Sequence, residues 1–238
     1  MKINWRLIKF VILIGLIGFL FSFSKQRNNN RNLKKISIEF LDDNDPFITL
    51  DAVNKLLIQN NDSVTSIGKE TLVLNEMEHR LLKNPMIRDA EVFVTVDGVL
   101  GAKIEQRKPI ARVSASPDYY LDDEGKKMPL STVYTARVPL ITGKSDTNFT
   151  EVTPILLKIN EDDFMKKSVV GLHLGNNGKV ELRIRKHDFK VILGTAEAIE
   201  KKFQNFKAFY KKAKSDKILA EYGVVNLEFG DQVVATKK

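Results

Sequence analysis

The sequence predicts an α+β fold behind one apolar N-terminal segment, and three observations carry that reading. Over residues 36–113 the elements run strand, helix, helix, strand, strand. Short β-type runs then recur between turns as far as Leu193, a mostly antiparallel pattern, before an amphipathic helix at 196–214 and a final strand. Ahead of both regions, Phe10 to Phe23 gives fourteen residues without a charge. A chain of 238 residues, 43% apolar and 29% charged, suits one or two globular domains.

The formal charge of +8 is concentrated at the start. Residues 1–35 hold eight basic side chains and no acid, while the rest carries 30 basic against 30 acidic. Positive charge flanking an apolar run points to a membrane and away from nucleic acid. The run Leu7–Ser24, interrupted only by Lys9, is eighteen residues long. As a helix it spans roughly 27 Å, near the roughly 30 Å hydrocarbon core. Lys9 lies where its stem can snorkel, and Trp5 where an interfacial aromatic is useful. A cleaved signal peptide competes, with Ser22-Phe23-Ser24 as its site. The length of the run and the bulk of Phe19, Phe21 and Phe23 favour an anchor. A buried soluble helix fits less well, because no polar face appears between Phe10 and Phe21. The short preceding tail favours keeping it in the cytoplasm and exporting the rest, where the absence of cysteine costs nothing. Asn61-Asp62-Ser63 and Asn148-Phe149-Thr150 match the glycosylation sequon, a pattern that arises often by chance.

After a polar, basic spacer at 25–35, Ile36, Ile38 and Phe40 alternate as a strand with one buried face. A turn at Asp42–Pro46 leads to Thr49, which can cap a helix presenting Val53, Leu56 and Leu57. Beyond a loop at Asn60–Gly68, Asn75 and Glu78 have capping-box spacing and predict a second helix with Met77, Leu81 and Leu82 inward. Pro85 ends it at Asn84. Val92, Val94 and Val96 alternate up to Asp97-Gly98, a strong hairpin signal, and Leu100, Ala102 and Ile104 return. Two helices on one face of a three-stranded sheet bury both apolar faces.

Farther on, strands are predicted at 110–115, 119–121, 138–142, 153–159, 169–174, 180–185 and 190–193. Asp123-Glu124-Gly125 and Asn176-Asn177-Gly178 supply turns. Ile199, Phe203, Phe206, Tyr210 and Ala213 recur at spacings of four, three, four and three, which is helical. Lys201, Lys202, Lys207, Lys211, Lys212 and Lys214 are expected on the opposite, solvated face. Val224–Ala235 is expected to close the chain as one strand, kinked at Gly230-Asp231.

The residues advertise no catalytic centre. Gly143-Lys144-Ser145 has the end of a phosphate-binding loop, but Val138 stands where that motif needs glycine. Asp122-Asp123-Glu124 is the densest carboxylate group; consecutive residues on a turn diverge, so it reads as a solvated turn rather than an acid–base pair. His79, His173 and His187 are scattered, and with no cysteine a metal site is not expected.

A set of ordered motifs remains. Asn84-Pro85-Met86-Ile87-Arg88-Asp89-Ala90-Glu91-Val92 is followed by Leu100 through Val113, with its Arg107-Lys108-Pro109 exit. Then come Tyr119-Tyr120-Leu121-Asp122-Asp123-Glu124-Gly125, Pro139-Leu140-Ile141 with Gly143, Val191-Ile192-Leu193-Gly194 and Val224–Phe229. With the N-terminal run, this series resembles the bacterial divisome family FtsQ/DivIB across essentially the whole chain. Gln106 stands where the family usually has glutamate, Met86 replaces a common aromatic, and Asn226 and Glu228 replace the usual aspartate and arginine.

The resemblance implies a cytoplasmic tail (1–9), a transmembrane helix (10–24), a linker (25–35), a POTRA domain (36–107) and a β domain (108–238). It implies a single-pass protein of the bacterial inner membrane at the division septum, with the bulk of the chain extracytoplasmic. It implies a scaffold that binds an FtsB/FtsL-like pair and helps control septal peptidoglycan synthesis. No enzymatic activity, cofactor or small-molecule substrate is expected. A POTRA-containing translocation or assembly component is the alternative.

The physical means would be addition of a partner strand to an open sheet edge. The last run is the candidate, with Val225, Leu227, Phe229, Val233, Val234 and Ala235 as partner-binding residues. Phe229 would be an aromatic anchor, with Val233 and Ala235 on one face and Val234 on the other. The competing reading makes these ordinary core residues of a closing strand. A second edge at 33–40 is implied by the resemblance alone.

Overall fold

The computed structural model describes residues 5–29, 33–41, 46–58, 73–143, 149–175, 178–230 and 232–238, without the side chains of 6–8 and 26–29. The expected turn Asp42–Pro46 apart from Pro46, the loop Asn60–Gly68, Lys144, Ser145, Asn176, Asn177, Asp231 and the asparagines of both sequons lie outside the described residues. The chain divides into two compact units, Met1–Gln106 and Arg107–Lys238.

The first unit begins with helix α1, Trp5–Asn29, which takes in the first part of the expected spacer. Its described apolar side chains from Phe10 to Phe23 are exposed. Among the described residues no helix is long and apolar enough to cross a membrane. Strand β1 is Lys35–Phe40, followed by α2 (Leu50–Ile58), α3 (Leu74–Leu82), β2 (Ile87–Val94) and β3 (Val99–Gln106). Thr49 caps α2 as expected, its Oγ1 accepting from the Ala52 N–H at 3.1 Å.

The expected capping box of α3 does not form. Asn75 lies inside the helix, no side chain caps its start, and the Glu78 carboxylate instead accepts from the Val92 N–H at 3.0 Å. A strand amide competes successfully for the oxygen that local pattern assigned to the helix. From α3, Arg80 donates to the carbonyls of Leu56 and Leu57 at 3.2 and 3.0 Å, satisfying acceptors left open at the end of α2.

The sheet order is β1-β3-β2, with β1 parallel and β2 antiparallel to β3. Register places Ile38, Ala102 and Val92 in one row and Phe40, Ile104 and Ala90 in the next. Those rows form a core with Val53, Leu57, Met77 and Leu81. The β2–β3 turn is made as the sequence predicts, with Gly98 at φ 87°, where a side chain would be strained. Gln106 is buried at the end of β3, and its Oε1 accepts from the Phe47 N–H at 2.7 Å.

The second unit is built on a nine-stranded sheet in the order β12-β11-β10-β9-β8-β7-β4-β5-β6. Its strands are β4 Pro109–Val113, β5 Tyr119–Asp122, β6 Lys127–Pro129, β7 Leu140–Gly143, β8 Val169–Leu174, β9 Val180–Ile184, β10 Lys190–Gly194, β11 Tyr222–Asn226 and β12 Val234–Lys237. Helices α4 (Thr153–Glu161), α5 (Asp163–Ser168) and α6 (Ile199–Ser215) complete it.

Three expectations change here. The predicted strand 153–159 is helix α4. Ile155, Leu156 and Ile159 are buried at spacings that suit a helix face, and Pro154 fits its first turn. Asp162 then caps α5, accepting from the Phe164 and Met165 amides at 3.1 and 3.0 Å. The sheet is more mixed than expected: β4–β7, β7–β8 and β10–β11 pair in parallel and the other five pairings are antiparallel. Two of the parallel pairings follow from helical crossovers, since α4 and α5 connect β7 to β8, and α6 connects β10 to β11. Finally, 224–235 is two strands, not one kinked strand. The chain folds back through Gly230, at φ 59°, so that β12 runs antiparallel to β11.

The core of this unit joins Leu182, Val191, Leu193 and Val225 of the sheet to Ile155, Leu156, Phe203 and Phe206 of the helices. Along β9, Val180, Leu182 and Ile184 are buried while Glu181 and Arg183 are not, so one sheet face is covered and the other open.

Candidate functional site

Strand β12 terminates the nine-stranded sheet; β6, only three residues long, is the opposite edge. Two hydrogen bonds fix which amides of β12 are spare. The Lys238 N–H donates to the Glu221 carbonyl at 2.8 Å, and the Leu227 N–H donates to the Ile192 carbonyl of β10 at 2.9 Å. Because backbone donors alternate along a strand, Val224 and Asn226 face β12 while Val225 faces β10. Their registered partners Thr236 and Val234 are the inward residues of β12. Ala235 and Lys237 therefore turn their N–H and C=O groups outward, toward the place of a tenth strand.

The six predicted contact residues divide by burial. Val225 and Leu227, 0% and 2% exposed, are core residues that support the edge from within and offer no surface. Val233 and Ala235 pack partly buried against the same core. Val234 is 42% exposed on the opposite face, and Phe229 at the turn is 53% exposed. The strand thus has an apolar backing, backbone groups that no strand among the described residues pairs, and one exposed aromatic at its entrance.

Polar groups hold the edge in place. Asn205 of α6 donates to the Gly230 carbonyl at 3.1 Å. Lys237 Nζ meets Glu221 Oε2 at 2.6 Å, and this bond raises the lysine pKa. Lys179 lies 2.9 Å from Glu228, and its hydrogen bond holds the Glu228 carboxyl below the ordinary value. Of these supports only Glu228 carried a sequence signal, as a departure from the motif series. The others are brought together by long-range pairing.

The other candidates resolve into structural roles. The carboxyl of Asp122 is wholly buried rather than solvated. It accepts from Arg107 at 2.7 Å and from the amides of Glu124 and Lys126 at 3.0 and 2.7 Å, which locks the turn. His187 meets the Tyr210 hydroxyl at 2.9 Å, His173 meets Thr142 at 3.2 Å, and His79 is exposed. Among the described residues no group of histidines and carboxylates could hold a metal ion. On α6, Lys202 is buried rather than solvated. Burial lowers its pKa, and its Nζ donates to the Thr195 carbonyl at 2.9 Å.

Residues 108–236 match the family described as FtsQ/DivIB, C-terminal related, a stretch that runs from the start of β4 into β12. The chain belongs to the FtsQ/DivIB family. Residues 33–105 match the POTRA-like domain, which is the three-stranded α+β unit. A cell division protein FtsQ from Geotalea daltonii is 24% identical over 183 residues, covering 71% of this chain and 66% of that protein. The FtsQ/DivIB match thus reaches Thr236 of β12 and includes every other strand of the nine-stranded sheet.

Proposed function

We propose that this FtsQ/DivIB chain is a cell-division scaffold, anchored in the inner membrane by its N-terminal helix, that binds an FtsB/FtsL-like pair along β12. The observation that carries the reading is the outward backbone groups of Ala235 and Lys237 on β12, the terminal strand of a sheet whose other strands all lie within the family match. An added strand would gain a ladder of hydrogen bonds, with the exposed Phe229 and Val234 giving side-chain selectivity. Catalysis by the chain itself has no part in this reading. Its influence on septal peptidoglycan synthesis runs through the proteins it holds.

The anchoring part rests on the sequence. Phe10–Phe23 is an uncharged run of fourteen residues with basic side chains before and after it, and the apolar side chains of that run are exposed.

A fluorescent fusion of the full chain should concentrate at the septum of dividing cells and co-purify with the FtsB/FtsL-like pair from detergent-solubilised membranes. Diffuse envelope fluorescence without those partners would refute the proposal.

A further inference from the structure

The nine-stranded sheet leaves a charged face that strand addition uses only at its outer end, at Val234. Registered neighbours build two unbroken rows across it. One is Leu140, Gly171, Arg183, Lys190, Val224 and Thr236; the other is Thr142, His173, Glu181, Ile192, Asn226 and Val234. Both rows run from β7 to the free edge.

In the first row Arg183 and Lys190 are direct cross-strand neighbours, and like charges so placed destabilise a sheet. Glu181 relieves Lys190 at 3.5 Å, whereas Arg183 has no ion-pair or hydrogen-bond partner among the described residues. A Cβ at Gly171 would come within 2.9 Å of the Leu140 carbonyl oxygen, and the stem of Arg183 passes 3.7 Å from that position, over β8. The turn after β9 adds Arg185, which spends its Nε on the Lys167 carbonyl, and Lys186. The acids nearby are engaged: Glu181 by Lys190, and Asp188 by Lys238 at 3.7 Å. These cations border an open groove of about 810 Å³ that also contains His173 and the 37% exposed Val170.

We infer that this groove takes an acidic polypeptide segment of the partner that occupies β12, its carboxylates meeting Arg183, Lys190 and Arg185. The inference rests on the strand-addition reading, because the two rows lead from the groove to that edge on one continuous face. Charge complementarity selects an acidic segment, and the apolar patch at Val170 selects one with aliphatic side chains. The cations line a recess instead of projecting from a flat patch, which favours a peptide over a lipid surface.

The test uses the full chain in detergent micelles and a fluorescein-labelled twelve-residue peptide of alternating Glu and Val, with a copy carrying Gln for Glu. Fluorescence anisotropy should give binding that weakens with salt and is at least about tenfold weaker for the Gln copy. Arg183→Glu with Lys190→Glu should abolish it, and Arg183→Gln with Lys190→Gln should weaken it. Lys211→Glu with Lys214→Glu on α6 should leave it unchanged. Equal loss in the α6 variant would overturn the inference. So would phosphatidylglycerol vesicles that sediment with the chain only when Arg183 and Lys190 are present. Partner capture separates the two readings. Loss in Ala235→Pro but not in the Arg183/Lys190 variants refutes the groove alone, and the reverse pattern refutes strand addition alone.

Discussion

The alternation of amides along β12 allows a single residue to separate binding from folding. Ala235 points its N–H away from β11, so Ala235→Pro removes no ladder bond, and proline is tolerated on the outer side of an edge strand. To an incoming strand the change is costly. One backbone hydrogen bond is worth about 0.5–1.5 kcal/mol net, and the ring keeps the partner carbonyl away from one of the two outward residues of the strand. A loss of about 1.4–3 kcal/mol is expected, which is roughly tenfold to 150-fold in Kd. Val234→Pro is the contrast. Its amide faces the Asn226 carbonyl, so it breaks the β11–β12 ladder and costs about 1–3 kcal/mol of stability as well as the binding. Titration calorimetry with the purified FtsB/FtsL-like pair, together with urea unfolding of each variant, reads both quantities. Wild-type affinity in Ala235→Pro, within a factor of about two, would refute strand addition at this edge.

Other outcomes follow from the supporting geometry. Arg107→Ala strands the buried Asp122 carboxylate with only its two amide donors and should destabilise the second unit by about 3 kcal/mol in urea unfolding. Arg107→Ala combined with Asp122→Asn should recover part of that loss, and an additive double variant would show that the pair is not coupled. Hydrogen bonds from Lys126 and Arg107 lower the Glu124 carboxyl from its ordinary 4.5 to about 2. A depressed carboxyl stabilises above its unfolded value and stops doing so as pH falls through its folded value. The melting-temperature advantage of wild type over Glu124→Gln should therefore be full near pH 7 and fade between about pH 4.5 and 2; a constant difference across that range would contradict the assignment. Gln106→Leu leaves the Phe47 and Ile48 amides without their acceptor and should cost the first unit about 1–3 kcal/mol, measured by amide hydrogen exchange in β3.

The first unit was largely legible in its residues because its elements are locally coded. The alternating valines before Asp97-Gly98, the Thr49 cap and the apolar stripes of two helices each act within a few residues of themselves. Helix α6 was legible for the same reason, with its aromatic stripe at three- and four-residue spacing. Helix α4 was not. Thr153–Ile159 is short and apolar, and such a run fits a buried strand as well as a buried helix until packing chooses. Reading it as a strand also hid one of the crossovers that make the sheet partly parallel.

Composition and order alone determined that an apolar run precedes an α+β unit and a strand-rich one, that the excess charge lies beside that run, and that the motif series resembles one family. Tertiary structure decided which of the six predicted contact residues are core and which are exposed. Val225, Leu227, Val233 and Val234 are nearly indistinguishable as side chains; their roles diverge because β11 pairs with β10 across a helical crossover, which leaves β12 outermost. An open edge is the absence of a neighbour, and it emerges only when every long-range pairing in the sheet has been made.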